Sequence, residues 1–204
     1  MNNKFRIAVL ASGRGSNLEA ILQSVQAGKI AGEIVLVLSN KQQARALEIA
    51  RGAGIPTQFV DPAAFADREA YDQAVGDCIE AVGAELIVLA GYMRLLSPAF
   101  CRRFSGRIIN IHPALLPSFP GLHAQAQAVE AGVKISGCTV HFVDEGLDSG
   151  PIIAQRAVPV YAEDDENSLS ERILEQEHLL YAEVIEAIAQ GKVKLKGNKV
   201  YIDR

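Results

Sequence analysis

Short apolar runs alternate with amphipathic stretches along the first half of the chain. Ile7, Ala8, Val9 and Leu10 lead into a glycine-rich loop, and the segment 17–27 then carries apolar residues at helical spacing. Residues 34–38 are nearly all apolar, as in a strand buried on both faces of a parallel sheet. A helix over 44–53 closes at Gly54, and 57–60 reads as a short strand. In the next segment Tyr71, Ala74, Val75, Cys78, Ile79 and Val82 recur at helical spacing. Asp72, Gln73, Asp77 and Glu80 fall between them and are expected to point away from the core. Residues 86–90 make a fourth buried strand. This alternation predicts an α/β fold, an open, mostly parallel Rossmann-like sheet with right-handed crossovers and helices on both faces.

After residue 105 the rhythm changes. Residues 107–112 read as a strand, followed by a proline-rich loop over 113–121 and a helix over 124–131. Period-two alternation returns over 135–143 and 152–160. An acidic turn over 163–167 leads to Ser168, read as the N-cap of a long helix that reaches Gln190 and stops at Gly191. Two short β pieces finish the chain. With no low-complexity linker or internal repeat, one domain is expected over 1–204, about 1–105 serving a nucleotide and about 106–204 the chemistry.

At 204 residues, with 49% hydrophobic and 22% charged residues, the composition is that of a globular protein with one sizeable core. A formal charge of −4 gives no basic face for nucleic acid. No apolar run reaches the roughly 18–20 residues of a membrane span, and the start lacks the long apolar stretch of a signal peptide. Cys78, Cys101 and Cys138 are scattered, which fits thiols in a reducing cytoplasm.

Two segments carry candidate chemistry. The loop Ser12, Gly13, Arg14, Gly15, Ser16, Asn17 joins a strand to a helix, where free backbone N–H groups make an anion site. Leu18 stands where a dinucleotide fingerprint needs its third glycine, and the second strand ends at Ser39 and Asn40 rather than an acid. A phosphate or mononucleotide is therefore expected, not a nicotinamide dinucleotide. In the second segment alternation puts Asn110 and His112 on one side of a strand, with Pro113 ending it. A second strand carries His141, and a turn dense in acid and glycine then presents Asp148. A carboxylate beside an imidazole orients the ring and favours its charged form. Amide, imidazole and carboxylate together can polarise a carbonyl, hold an oxyanion and move a proton.

Other chemistries fit less well. There is no HExxH spacing for zinc and no GxSxG elbow, so no metal is expected. Alternation puts Cys138 and His141 on opposite faces, against a cysteine nucleophile. On the last helix, Glu177 falls on the apolar stripe of Leu169, Ile173, Leu180, Val184 and Ile188. An inward carboxylate needs a partner or ligand; sugar hydroxyls would serve, and so would Arg172.

Taken as an ordered set, these segments resemble the phosphoribosylglycinamide formyltransferase family of folate-dependent formyltransferases. The resemblance rests on Gly13 to Asn17, on Ala90-Gly91-Tyr92-Met93-Arg94-Leu95-Leu96, on Asn110-Ile111-His112-Pro113, on Pro120-Gly121-Leu122-His123 and on Leu147-Asp148-Ser149-Gly150-Pro151. It implies formyl transfer from 10-formyltetrahydrofolate, as co-substrate, to the amine of glycinamide ribonucleotide in purine biosynthesis. It implies phosphate binding by Gly15, Ser16 and Asn17, and ribose binding by Glu177. Arg68, Met93, Arg94, Leu95, Leu96 and Asn110 would border the folate. Asn110 and His112 would meet the formyl oxygen, Asp148 would orient His112, and His141 would support them. Small-molecule substrates are implied for a monomer or homodimer. The chain departs from the family pattern at Ser149, where many members have Gly, at Leu174, where a polar residue is expected near the phosphate, and over 124–127. Two relatives with the same core, methionyl-tRNA formyltransferase and formyltetrahydrofolate deformylase, carry an additional domain for which this length leaves no room.

Overall fold

Five strands, most of them built on apolar runs, form the parallel part of a sheet in the computed structural model, which describes residues 4–203. These are β1 (Phe5–Leu10), β2 (Gly32–Ser39), β3 (Thr57–Phe59), β4 (Leu86–Leu89) and β5 (Ile108–His112). Two antiparallel strands, β6 (Ile135–Phe142) and β7 (Ile152–Pro159), complete a seven-stranded sheet of order β3-β2-β1-β4-β5-β6-β7. The mostly parallel Rossmann-like expectation holds, and so does the change of rhythm after residue 105.

Alternation along the strands divides the core into two faces. On one side Ile7, Val9, Ile109, Ile111, Cys138 and Val140 pack under α1 (Ser16–Gln26), α2 (Arg45–Gly52), α5 (Ala124–Glu130) and α6 (Glu166–Ala189). On the other, Ala8, Leu10, Ile87 and Ile108 pack under α3 (Arg68–Ala81) and α4 (Pro98–Arg103). A separate hairpin, β8 (Val193–Lys196) with β9 (Lys199–Ile202), follows α6 and packs beside β7. Among the described residues no helix is long and apolar enough to cross a membrane.

Two local expectations are corrected and one helix is added. Asp72 does not face away from the core: it is 1% exposed, because the loop over 91–97 lies on that side of α3 and the Ser97 N–H donates to its carboxylate. The N-cap of α6 is Asp165, and Ser168 is its third residue. Each side chain bonds the other's backbone N–H, a reciprocal capping box in which Asp takes the cap position. Finally, α4 lay unpredicted between Leu96 and residue 107; its six residues are too few to show a period, although Ser97 caps it and Pro98 opens it.

Candidate active site

The glycine loop joins β1 to α1. Gly15 is the N-cap in the left-handed conformation (φ 80°) and supplies no side-chain cap, so the first intrahelical bond is Glu19 N–H to the Gly15 carbonyl. The N–H groups of the first helical turn, from Ser16 on, are thus free for an anion. Gly15 is also fixed by packing, since a Cβ there would lie 2.9 Å from the Ala46 Cα in α2. Its glycine therefore serves the turn and the α2 contact as well as any ligand. Asn17 Nδ2 donates to Glu177 Oε2 at 3.0 Å, while Asn17 Oδ1 is buried without a partner. Glu177 is 7% exposed and faces inward as its place on the stripe implied. Burial pushes its carboxyl up to about 7, against a smaller opposing effect of Asn17. Arg172 is not its partner: that guanidinium binds Asp164.

The catalytic candidates assemble on the α3/α4 face of β5 and β6. Asn110 lies opposite His141 in the antiparallel register, and His112 opposite Thr139. Because β6 runs backwards, its end lies beside the start of β5, and the following loop folds back over the sheet. That fold brings Asp148 Oδ2 to 3.4 Å from His112 Nδ1 and Oδ1 to 3.7 Å from His141 Nε2. The Gly121 N–H donates to Asp148 Oδ2 at 2.8 Å and fixes the carboxylate. His141 Nδ1–H donates to the Phe142 carbonyl at 2.9 Å, which leaves Nε2 to accept from Asn110 Nδ2 at 3.3 Å. Burial lowers the His141 pKa, in keeping with that neutral form. One amide N–H of Asn110 is thereby committed and the other is open. His112 Nε2–H donates to the Phe119 carbonyl at 2.8 Å. Phe119, His123 and Asp148 all hold positive φ (54°, 57° and 49°), so backbone strain gathers on the two loops that meet at His112.

Ser149 also has a role in this loop. Its Oγ donates to Asp144 Oδ1 at 2.8 Å, and the same oxygen accepts the Gly146 N–H at 3.0 Å. At Gly150 any Cβ would lie 1.9 Å from the Phe142 carbonyl oxygen, so the return from the loop requires glycine. A recess of about 750 Å³ opens on the hairpin side of this loop, bounded by Leu116, Pro117, Asp148, Ile152 and Tyr201.

The loop over 91–97 presents Met93 and Leu95 to solvent at 63% and 62% exposure, while Leu96 packs inward. Arg94 turns under the loop instead, with its guanidinium 4.5 Å from the centre of the Tyr71 ring. Arg68, at the first turn of α3, is exposed on the same side, near enough to Asp72 to favour its charged form. Arg68 and Arg94 thus meet around Asp72, apart from the Asn110–His112–Asp148 cluster. Tyr181 of α6 donates from its hydroxyl to the carbonyls of Leu89 and Ile109 at 2.9 and 3.1 Å, which ties the helix bearing Glu177 to the strand bearing Asn110. The Phe119 carbonyl, the Gly121 N–H and Asp72 were not foreseen. Only Gly121 had a sequence signal, as part of the Pro-Gly-Leu-His segment.

The formyl transferase family model matches residues 5–185. The chain is similar to phosphoribosylglycinamide formyltransferase of Escherichia coli (strain K12), 47% identical over 197 residues, covering 97% of this chain and 93% of that protein. It is 49% identical over 188 residues to the trifunctional purine biosynthetic protein adenosine-3 of Drosophila melanogaster, covering 91% of this chain and 14% of that longer one. Its fold superimposes on the crystal structure of glycinamide ribonucleotide transformylase 1 from Symbiobacterium toebii with a TM-score of 0.97 and 48% identity, covering 100% of this chain and 96% of that one. With its catalytic candidates gathered on one face of a matching fold, the chain belongs to the phosphoribosylglycinamide formyltransferases of the formyl transferase family.

Proposed function

We propose that this site transfers the formyl group of 10-formyltetrahydrofolate to the amine of N1-(5-phospho-β-D-ribosyl)glycinamide, a cytoplasmic step of purine synthesis. The observation that carries the proposal is the convergence of Asn110, His112 and Asp148, with His141 behind them, on one face of β5 and β6. The folate fits the adjacent loop: Met93 and Leu95 are large apolar side chains standing in solvent, suited to a flat heteroaromatic ring. Arg68 stands exposed beside that loop, where the donor's carboxylates would find positive charge, and Arg94 supports the loop from beneath. The nucleotide fits the glycine loop, its phosphate on the free N–H groups of α1 and its ribose hydroxyls on Glu177.

In the reaction the neutral amine attacks the formyl carbon, and the carbonyl oxygen becomes an oxyanion. The open N–H of Asn110 donates to that oxygen, and its other N–H, held by His141, fixes the amide plane. His112 turns its Nε2–H from the Phe119 carbonyl to the same oxygen. Asp148, fixed by Gly121, holds the ring through Nδ1 and stabilises positive charge on it. The proton lost by the amine goes to the departing folate nitrogen as the carbon–nitrogen bond breaks, with the imidazole as the nearest group able to relay it. Such donors act in a site shielded from water, where each contributes on the order of 3–4 kcal/mol to the transition state. The test is purified protein with both substrates, followed by loss of the formyl donor. No loss, or release of formate at the same rate without the amine, overturns the proposal.

A further inference from the structure

The glycine loop and the loop over 91–97 are far apart in sequence but share one buried side chain. Ser12, 2% exposed, leaves the end of β1 just before Gly13. Its N–H donates to the Gly91 carbonyl at 3.0 Å. Its Oγ accepts the Met93 N–H at 2.8 Å and donates to Asn40 Oδ1 at 2.6 Å. These three bonds tie together the chain as it leaves β1, β2 and β4. At its far end the 91–97 loop is held by Asp72 through the Ser97 N–H, while Tyr92, beside Met93, is pinned by its buried hydroxyl pair with Tyr71 at 2.9 Å. Met93 and Leu95 stand exposed between these ties, and the backbone N–H of Met93 itself is held by the Ser12 hydroxyl.

We propose that Ser12 couples the two substrate sites, so that filling the nucleotide site tightens folate binding. The inference rests on the functional reading above. A phosphate seated on the N–H groups from Ser16 onward immobilises the loop that begins at Ser12. The Gly13 carbonyl already accepts the Ala46 N–H at 3.2 Å, so the loop has a firm back wall to be pressed against. With Ser12 held, its Oγ keeps the Met93 N–H in place, and the folate no longer bears the full entropy of ordering that loop. Thermodynamic linkage makes the effect reciprocal: folate must tighten nucleotide binding by the same factor. Ser12 is a positioning residue in this scheme and touches neither ligand.

The dead-end pair of glycinamide ribonucleotide and tetrahydrofolate, neither carrying a formyl group, allows both affinities to be measured by calorimetry without turnover. In the wild type, saturating nucleotide is expected to tighten tetrahydrofolate roughly 10-fold, within the ordinary range of coupling between sites. It should also slow hydrogen exchange at the Met93 amide. Ser12→Ala should bind nucleotide alone as the wild type does but bring the ratio close to one, and Ser12→Thr, which keeps the hydroxyl, should restore it. If Ser12→Ala fails to fold, Asn40→Ala decides: it removes the acceptor that aims the hydroxyl and should lower the ratio too, whereas an unchanged ratio overturns the proposal. A wild type that binds both ligands without coupling, or coupling that survives Ser12→Ala, also overturns it. A wild type that binds neither ligand removes the functional reading itself, a distinct result.

Discussion

Glu177→Gln should change how stability depends on pH, and in a direction opposite to that of most carboxylates. Burial raises the Glu177 carboxyl from an ordinary 4.5 to about 7. Between those values the folded protein holds a proton that the unfolded chain releases, so stability falls as pH rises through the window and levels off above it. At about 1.4 kcal/mol for each tenfold change in proton affinity, the loss amounts to about 3 kcal/mol. Glutamine cannot ionise, can still accept from Asn17 Nδ2, and offers an N–H to the buried, unpartnered Asn17 Oδ1. The variant should therefore match the wild type near pH 4 and exceed it by about 3 kcal/mol near pH 8. Urea unfolding at half-unit pH steps measures this directly. Curves for the two proteins that stay parallel from pH 4 to 8 would refute the reasoning. The native carboxylate is thus a stability cost at neutral pH, and nucleotide binding should offset it. Affinity for glycinamide ribonucleotide should rise with pH in the wild type and be weak and flat in the variant.

Three further predictions follow the same geometry. Asp148→Asn should cut turnover on the order of 100- to 1000-fold, yet cost far less in a His112→Ala background, since residues acting as a unit are not additive; strictly multiplicative losses would show that Asp148 acts without His112. Gly15→Ala should lower stability by roughly 1–3 kcal/mol through its left-handed φ and its approach to Ala46, while Gly13→Ala, with open space around it, should be nearly neutral in thermal unfolding. Arg68→Ala should weaken folate binding more than nucleotide binding in separate titrations, whereas Arg94→Ala, by removing the guanidinium from Tyr71, should also lower the melting temperature.

Most of the parallel half of the fold was legible because β1, β2 and β4 are apolar runs and the longer helices have clear periods. So were the sides of β5 and β6 that face the site, because period-two alternation decides them whatever the neighbours. The pairing of β6 with β5 was not legible, so the fold-back that carries Asp148 onto His112 had to be supplied by the resemblance. Asp72 was misplaced because a helical wheel treats a carboxylate as a surface group, and only tertiary packing lays a loop over it. Asp165 and Ser168 are both good caps, and the choice between them depends on where the chain turns, which local composition does not fix. The Phe119 carbonyl and the Ser12 bridge are backbone-dependent contacts between distant segments, and no periodicity announces them.

The fold-back also makes turnover a sentinel of the sheet's antiparallel border. Asp148 reaches His112 only while β6 lies zipped against β5, and β6 and β7 form the last two strands at one side of the sheet. Proteins open in cooperative pieces, borders ahead of centres, so this border can part while the five parallel strands remain assembled. Mild denaturant should then silence catalysis at concentrations where circular dichroism still reports most of the native sheet. On this geometry inactivation should precede loss of the central parallel strands, which hold no catalytic candidate before β5.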